Sequence, residues 1–576
     1  MLPGMASLTQ PNFRFCPARK PTCEADKEKV NDLLTAEHYP ITVTPGLNRL
    51  YLDFCEGNAA ARPFYSSLPS SGGWLATADT APAPAHRPEL VRLLAEQNPS
   101  PEAVPVLEAL RQGAGTVVTG QQVGLLGGPL YTPLKAATAI ARARQATAAG
   151  QPHAAIFWLA SEDHDFAEIN HVTFPARREL RKLVYSPATG AADPPPARPV
   201  GGLIIDESIT PLIEQAWELL GYSDAMEALA AAYKPGRTFA QAFAEFYAKT
   251  FAAQGLLVLD ASSRAFHRMG APVLRAALER ADELHAALID RNGALAAARY
   301  HTQVAVTPQS STLFLVDANT GARLALKRIA PSAAEPNGIW QAGRQSYSTG
   351  DLLGILDAEP ERISPSALLR PVFQDFLLST SLVIGGPAEV AYFAQSGVVY
   401  EHILGRATPV QPRFSATLIE PAVAELLARH ELTPERIFAE NQDSLTQILA
   451  ARAMPPEAKK KIAAAGGALD AELTPLLEWM QAQDAGLGRA GQTAASKMRY
   501  QMNRLRRLAA NFQLQRETSL RRHAESICQA LFPGGTLQER VHGAAYYFAR
   551  HGFELAETLT EQASADTCAS HAVLWL

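Results

Sequence analysis

Cysteine is scarce in this chain: five in 576 residues, at Cys16, Cys23, Cys55, Cys528 and Cys568. No two of them form a CxxC pair, which argues against a zinc ribbon or a thioredoxin-type dithiol. An odd, sparse set fits a reducing compartment better than a disulfide framework. Long apolar runs are missing too. No stretch approaches the roughly 18 uninterrupted apolar residues of a membrane helix, and residues 1–22 are Pro-rich without the apolar core of a signal peptide. The expectation is a cytoplasmic protein with no membrane partner. Charge of one sign is also lacking: 52 basic against 57 acidic residues leave a net −5, so nothing pulls the whole chain toward nucleic acid. What is plentiful is apolar matter, 47% against 19% charged residues. A chain of this length divides it among two or more lobes.

Residues 1–45 read as an irregular extension, and a loop rich in Ala, Pro and Gly fills 70–87. Helical patterns follow at about 88–96 and 103–112. The α/β signal starts at 115–119, a short apolar strand. A helix is expected over 129–146 and a second strand over 154–160, which makes a βαβ crossover and therefore a parallel sheet. Residues 256–260 and 380–384 supply two further strands. Within 179–206 lies the run Asp193-Pro194-Pro195-Pro196, which must be extended. Residues 304–329 alternate and turn at Asn319-Thr320-Gly321, the pattern of a β-hairpin. The fold class is thus α/β: a Rossmann-like, doubly wound parallel sheet with insertions near 176–250 and 290–350, forming a core over 46–417.

Beyond it, 418–530 is helical, with breaks expected near Met454-Pro455-Pro456 and Gly466-Gly467. Leu469, Leu473, Leu476 and Met480, then Met498, Leu505, Leu508 and Phe512, recur every three or four residues, the pattern of a long helical hairpin or coiled coil. A C-terminal segment, 531–576, holds a helix over 540–550 and an apolar run over 571–576 that suits an edge strand returning to the core.

Three motifs carry candidate chemistry. In the first, a strand end leads through Gly120-Gln121-Gln122 to Gly127-Gly128-Pro129-Leu130-Tyr131-Thr132. Glycine permits close backbone approach and proline suits a first helical turn, so a helix N-terminus facing an anionic ligand is expected. Lys135 is placed to reach that ligand. The phrase is not a Walker loop, since no Gly-Lys-Ser/Thr follows. The plainer reading is a packing turn. In the second motif a buried strand ending in Trp158 opens onto Glu162, Asp163, His164 and Asp165, with Asn170 beyond. These residues suit a general base, an ammonium anchor or a metal site, or merely a capping network in which Asp163 or Asp165 starts a helix. His164 and His171 lack HExxH spacing, so no metal is expected. The third motif repeats Gly385-Gly386-Pro387 before a helix bearing Glu389 and Tyr392. Arg370 and Arg413 are candidate carboxylate forks.

Taken together, residues 119–135, 157–171 and 363–395 resemble the bacillithiol biosynthesis cysteine-adding enzymes. So do Leu531-Phe532-Pro533, Leu537-Gln538-Glu539-Arg540 and the closing 571–576. The resemblance runs from about Leu47 to the C-terminus. It departs at Ala388, where that family more often has glycine. It implies a Rossmann-like core with connecting-peptide insertions, akin to class I aminoacyl-tRNA synthetases, and a C-terminal α-helical coiled-coil domain that makes a homodimer. The implied reaction is ligation of L-cysteine to glucosaminyl-malate, the last step of bacillithiol biosynthesis. Glu162, Asp163, His164 and Asp165 would then be catalytic. Gly120, Gln121, Gln122, Gly127, Gly128, Tyr131, Thr132, Lys135, Trp158, Asn170, Arg370, Gly385, Gly386, Glu389, Tyr392 and Arg413 would bind substrate. No HIGH or KMSKS signature of class I synthetases is present, so no cofactor is fixed and ATP enters only through the resemblance. Two other readings stay open at this point. One is RNA binding by the basic arm at Lys497, Arg499, Arg504, Arg506, Arg507, Arg516, Arg521 and Arg522, although a solvated coiled-coil face is commoner and no nucleic acid is expected. The other is a metal-dependent hydrolase built on the acidic cluster.

Overall fold

In a computed structural model the described residues are 35–69, 74–77, 84–176, 179–187, 197–329 and 338–576. The Asp193–Pro196 run and most of the 70–87 loop lie outside them. At the centre is a five-stranded sheet made of β1 (Gly115–Gln121), β2 (His153–Leu159), β3 (Leu257–Leu259), β4 (Thr380–Gly385) and β5 (Val410–Pro412). Its order is β5-β4-β1-β2-β3, and every pairing is parallel. The chain runs from β1 outward to β3, then returns to place β4 on the other side of β1. That reversal opens a crevice beyond the carboxyl ends of β1 and β4, where open α/β sheets seat their ligands.

Alternation along the strands feeds two cores. Val117, Phe157, Leu159, Leu382 and Ile384 face α1 (Tyr131–Ala148) and the C-terminal helices. Val118, Ile156, Trp158, Leu259 and Val383 face the opposite core, shared by α2 (Arg264–Glu279), α3 (Arg370–Leu378) and α4 (Pro387–Leu404). With helices on both faces, the sheet is doubly wound. The expected hairpin is present as antiparallel strands Ser310–Val316 and Arg323–Ile329, inside a second, five-stranded sheet.

The two Gly-Gly-Pro phrases part company. At the second, Pro387 opens α4 behind an N-cap Gly386 whose N–H is bound by the Glu389 side chain. At the first, helix α1 starts only at Tyr131, and Pro129 is bridged to Gly543 instead. Leu126, Gly127 and Gly128 all have positive φ. The Tyr247 hydroxyl donates to the Gly127 carbonyl, the Gly127 N–H donates to Tyr233, and a Cβ on Gly127 would stand 2.7 Å from the Phe246 ring. This is a buried packing turn, with its N–H groups turned into protein rather than toward a ligand.

C-terminal to the core, α5 (Pro456–Gln483) and α6 (Ala485–Arg516) form the long hairpin. Helix α5 passes through Gly466 and Gly467 without a break; each glycine costs a helix only about 1 kcal/mol, and nothing crowds either of them. Leu473 and Leu477 are buried against the small residues Gly491 and Ala495. Leu476, Met498, Leu505, Leu508 and Phe512, expected in the seam, are instead exposed.

The C-terminal segment differs from expectation at two points. The helix expected over 540–550 is split into α7 (Gln538–Val541) and Ala544–His551, because Gly543 is clamped against Val172 and Phe174. The last strand, β7 (Ser570–Trp575), is central rather than an edge. It lies between β6 (Ala416–Ile419), parallel to it, and an antiparallel strand Thr35–Pro40 from the stretch expected to be irregular. Among the described residues no helix is long and apolar enough to cross a membrane.

Candidate functional site

The crevice at the β1/β4 reversal is a cavity of about 470 Å³. Gly120, Gln121, Gln122, Tyr131, Lys135, Trp158, Glu162, Asp163, His164, Arg370, Gly386, Glu389, Tyr392 and Arg413, all singled out in the sequence, line it. Six others do not. Gly127, Gly128 and Thr132 are buried in the packing turn behind the wall. Asp165 caps the short helix Phe166–Ile169 by accepting the Glu168 N–H at 3.1 Å. Asn170 bonds the Tyr185 carbonyl, and Gly385 ends β4 with its carbonyl on the Arg413 N–H.

One half of the cavity is basic. Lys135, buried on α1, holds together both motifs: its Nζ donates to the Gly120 carbonyl at 2.8 Å and to Gln121 Oε1 at 2.9 Å, and pairs with Glu389 Oε2 at 2.5 Å. Burial lowers the Lys135 pKa, with Glu389 opposing it. Arg413 forms a buried, two-pronged pair with Glu539 of α7, which also accepts the Ala416 N–H at 3.1 Å. That leaves the buried Arg413 Nε without a hydrogen-bond partner among the described residues, beside the side-chain-free Gly386 at the start of α4. Arg370 donates to the Tyr392 hydroxyl at 2.7 Å, and Arg540 lies over the Tyr131 ring. Neither guanidinium has a carboxylate within ion-pairing distance among the described residues, so both can take an anion in two-pronged fashion.

The other half is acidic and already heavily bonded. Gln122 Nε2 bridges Asp163 at 2.7 Å and Glu168 at 2.8 Å. The other Asp163 oxygen accepts the His164 N–H at 2.7 Å. Arg323 Nη1 meets His164 Nδ1 at 3.3 Å; a guanidinium can only donate, so Nδ1 accepts and the ring proton sits on Nε2. Arg323 also bonds Ser364 and the Pro365 carbonyl, and stacks on Phe314. Glu162 Oε1 stands 2.9 Å from Nε2 of the fully buried His267. Burial would raise the Glu162 pKa, but His267 and Arg323 outweigh it and hold the carboxyl below its ordinary range. Among the described residues no three His, Cys, Asp or Glu side chains converge to hold a metal.

Sequence reading missed Glu168, His267, Arg323 and Arg540. Arg540 had a signal, its place in the Gln538-Glu539-Arg540 phrase. Arg323 and His267 had none, since only the tertiary fold brings a hairpin strand and α2 to the end of β2.

The Arg413–Glu539 pair makes a sharp stability prediction. Replacing Arg413 by Met leaves a buried, unpaired carboxylate and should cost about 3–5 kcal/mol at pH 7, read by urea unfolding. Burial would raise the Glu539 pKa, but Arg413 outweighs it and holds it low. The pair's contribution is therefore complete above the unfolded carboxylate value of about 4 and lost as pH falls through the folded value. R413M removes the largest effect opposing burial and leaves only the smaller ones of His571 and the Ala416 N–H, so the folded value rises relative to wild type and the deficit should narrow toward pH 4.

Two family models match nearly the whole described length. Residues 34–414 match the bacillithiol biosynthesis BshC N-terminal Rossmann-like domain, and residues 416–574 the BshC C-terminal coiled-coil domain. A protein of Koribacter versatilis (strain Ellin345) is 41% identical over 540 residues, 93% of this chain and 98% of its own. One from Solibacter usitatus (strain Ellin6076) is 32% identical over 504 residues, 85% and 90% of the two chains. One from Salinibacter ruber (strain DSM 13855 / M31) is 31% identical over 537 residues, 91% and 96%. All three bear the name "Putative cysteine ligase BshC". With two family models in tandem and this degree of identity along its length, the chain belongs to the bacillithiol biosynthesis BshC family.

Proposed function

We propose that the chain is a ligase that joins L-cysteine to the sugar amine of glucosaminyl-malate through an amide, completing bacillithiol. The observation that carries this reading is the make-up of the cavity wall: guanidinium groups outside ion-pairing distance of any described carboxylate and a helix N-terminus, together with the carboxylates of Glu162 and Asp163. Malate brings two carboxylates, for which Arg370 and Arg540 are the free forks. The unpartnered Arg413 Nε and the start of α4 extend the same anion-binding wall. Cysteine brings an ammonium, for which Glu162 is an ionised anchor.

The sugar amine must be neutral to attack. Asp163 accepts one hydrogen bond on each oxygen and keeps a second lone pair on each, so it is our choice to take the proton. Because Nδ1 of His164 is already engaged by Arg323, we give that ring an orienting role. Amide formation from a free carboxylate needs that carboxylate activated, and a nucleoside triphosphate co-substrate, ATP first among them, is the expected activator.

Purified protein incubated with L-cysteine, glucosaminyl-malate and each nucleoside triphosphate in turn should yield bacillithiol, detected by thiol labelling and mass spectrometry; no product under any nucleotide rejects the ligase. In that assay Arg540→Ala should raise KM for glucosaminyl-malate by about 10- to 100-fold, the worth of a charged hydrogen bond, with KM for cysteine unchanged. An unchanged KM for glucosaminyl-malate would remove Arg540 from the malate site.

We also propose that two copies associate through the helical hairpin. Leu505, Leu508 and Phe512, three and four residues apart on one face of α6, expose large apolar groups, between 56 and 60% accessible, an arrangement that marks an interaction face. Sedimentation should show a dimer for the wild type and a monomer for L505E/F512E; a variant that still sediments as a dimer contradicts the assignment.

A further inference from the structure

Glu162 owes its state to a residue outside the cavity. His267 lies one turn into α2 and is wholly buried. Its Nδ1 is 3.1 Å from the Ile363 carbonyl and its Nε2 is 2.9 Å from Glu162 Oε1. A carbonyl oxygen only accepts, so Nδ1 carries a proton; Nε2 stands at ion-pairing distance from Glu162 without the alignment of a hydrogen bond. Burial lowers the ring's pKa, but Glu162 and the Ile363 carbonyl outweigh it and raise it, so the ring is an imidazolium ion-paired with the carboxylate.

Its orientation is fixed from behind. Phe373 of α3 packs on the imidazole with ring centroids 5.5 Å apart. Gly270, on the same helix as His267, makes room for that contact, since a Cβ there would stand 2.1 Å from the Phe373 ring. Ser364, whose hydroxyl accepts from Arg323 Nε at 3.1 Å, also helps to lower the Glu162 pKa. Glu162 is thus gripped on one oxygen by a buried cation, while the carboxylate itself forms part of the cavity wall.

A carboxylate that must leave an imidazolium in order to protonate is a poor proton acceptor and a good electrostatic seat. We propose that His267 is a positioning residue that fixes Glu162 as a permanently ionised seat for the α-ammonium of cysteine, acting on cysteine affinity and leaving the malate side untouched. This rests on the cysteine-ligase reading above. It assigns the acidic cluster unequal duties, with Glu162 binding and Asp163 moving the proton.

The test is a double-variant cycle of E162Q and H267Q, read as the Kd for L-cysteine by calorimetry and as KM for each substrate. E162Q should weaken cysteine by about 10- to 100-fold. H267Q should weaken it severalfold, with KM for glucosaminyl-malate and kcat little changed. Adding H267Q to E162Q should cost nothing more, because His267 acts only through Glu162. Independent penalties that multiply, or an H267Q loss shared equally by both substrates, would overturn the proposal.

The wild type supplies a check that survives any folding defect of H267Q. Its nitrogen-15 histidine spectrum should contain one imidazolium that persists above the ordinary histidine value of about 6.5 and is absent in E162Q. A neutral His267 at pH 7 would overturn the proposal. Should the wild type bind cysteine and yet make no bacillithiol, the ligase reading fails while the binding cycle still decides the role of His267.

Discussion

The buried pair between Arg413 and Glu539 joins the two family segments at the cavity. Arg413 follows β5, and Glu539 sits on α7, beyond the helical hairpin. Neighbouring Gln538 donates to the Leu418 carbonyl and accepts the Leu418 N–H, so its amide completes β6 as another strand would. Such a pair contributes little net energy once desolvation is counted. What it provides is position: with α7 locked, Arg540 lies over Tyr131 at the mouth of β1. The Rossmann-like core alone would present the acidic wall and Lys135 but would lack Arg540.

From that lock the site divides by charge. Lys135 is spent on Glu389, Gly120 and Gln121, tying the ends of β1 and α4 together. Arg323 is spent on Ser364, Pro365 and His164. The groups left with capacity are Arg370, Arg540 and one nitrogen of Arg413 on one side, and the carboxylates of Glu162 and Asp163 on the other. On the proposed function, this residue of unspent hydrogen-bonding capacity is what distinguishes a dicarboxylate end from an ammonium end. On that reading the acidic groups that form one cluster in the sequence divide into a seat and a proton acceptor, while Asp165 caps a helix.

The fold was legible where local pattern and tertiary demand agree. Residues 115–119 and 154–160 had to be buried strands, and the crossover between them had to be parallel. The second Gly-Gly-Pro read correctly as a helix start because Pro387 and the Glu389 cap are local features. The first misled because the same residues serve a tight turn equally well, and Phe246 and Tyr247 decide between the two from far along the chain. Likewise Leu505 and Phe512 follow a seam pattern, yet the hairpin closes on Gly491 and Ala495 and leaves them outside. Of the site, β-strand ends and helix starts could be read. His267 and Arg323 could not, since nothing in their own neighbourhoods distinguishes them from a core histidine and a strand arginine.

The central claim is that one cavity binds glucosaminyl-malate with its ends apart, and a crystal structure with that compound bound tests it most directly. The account predicts the malate carboxylates on Arg370 and Arg540, near the start of α4, with the sugar amine directed toward Asp163. Malate lodged against Glu162 and His164, or bound outside the cavity altogether, would contradict it.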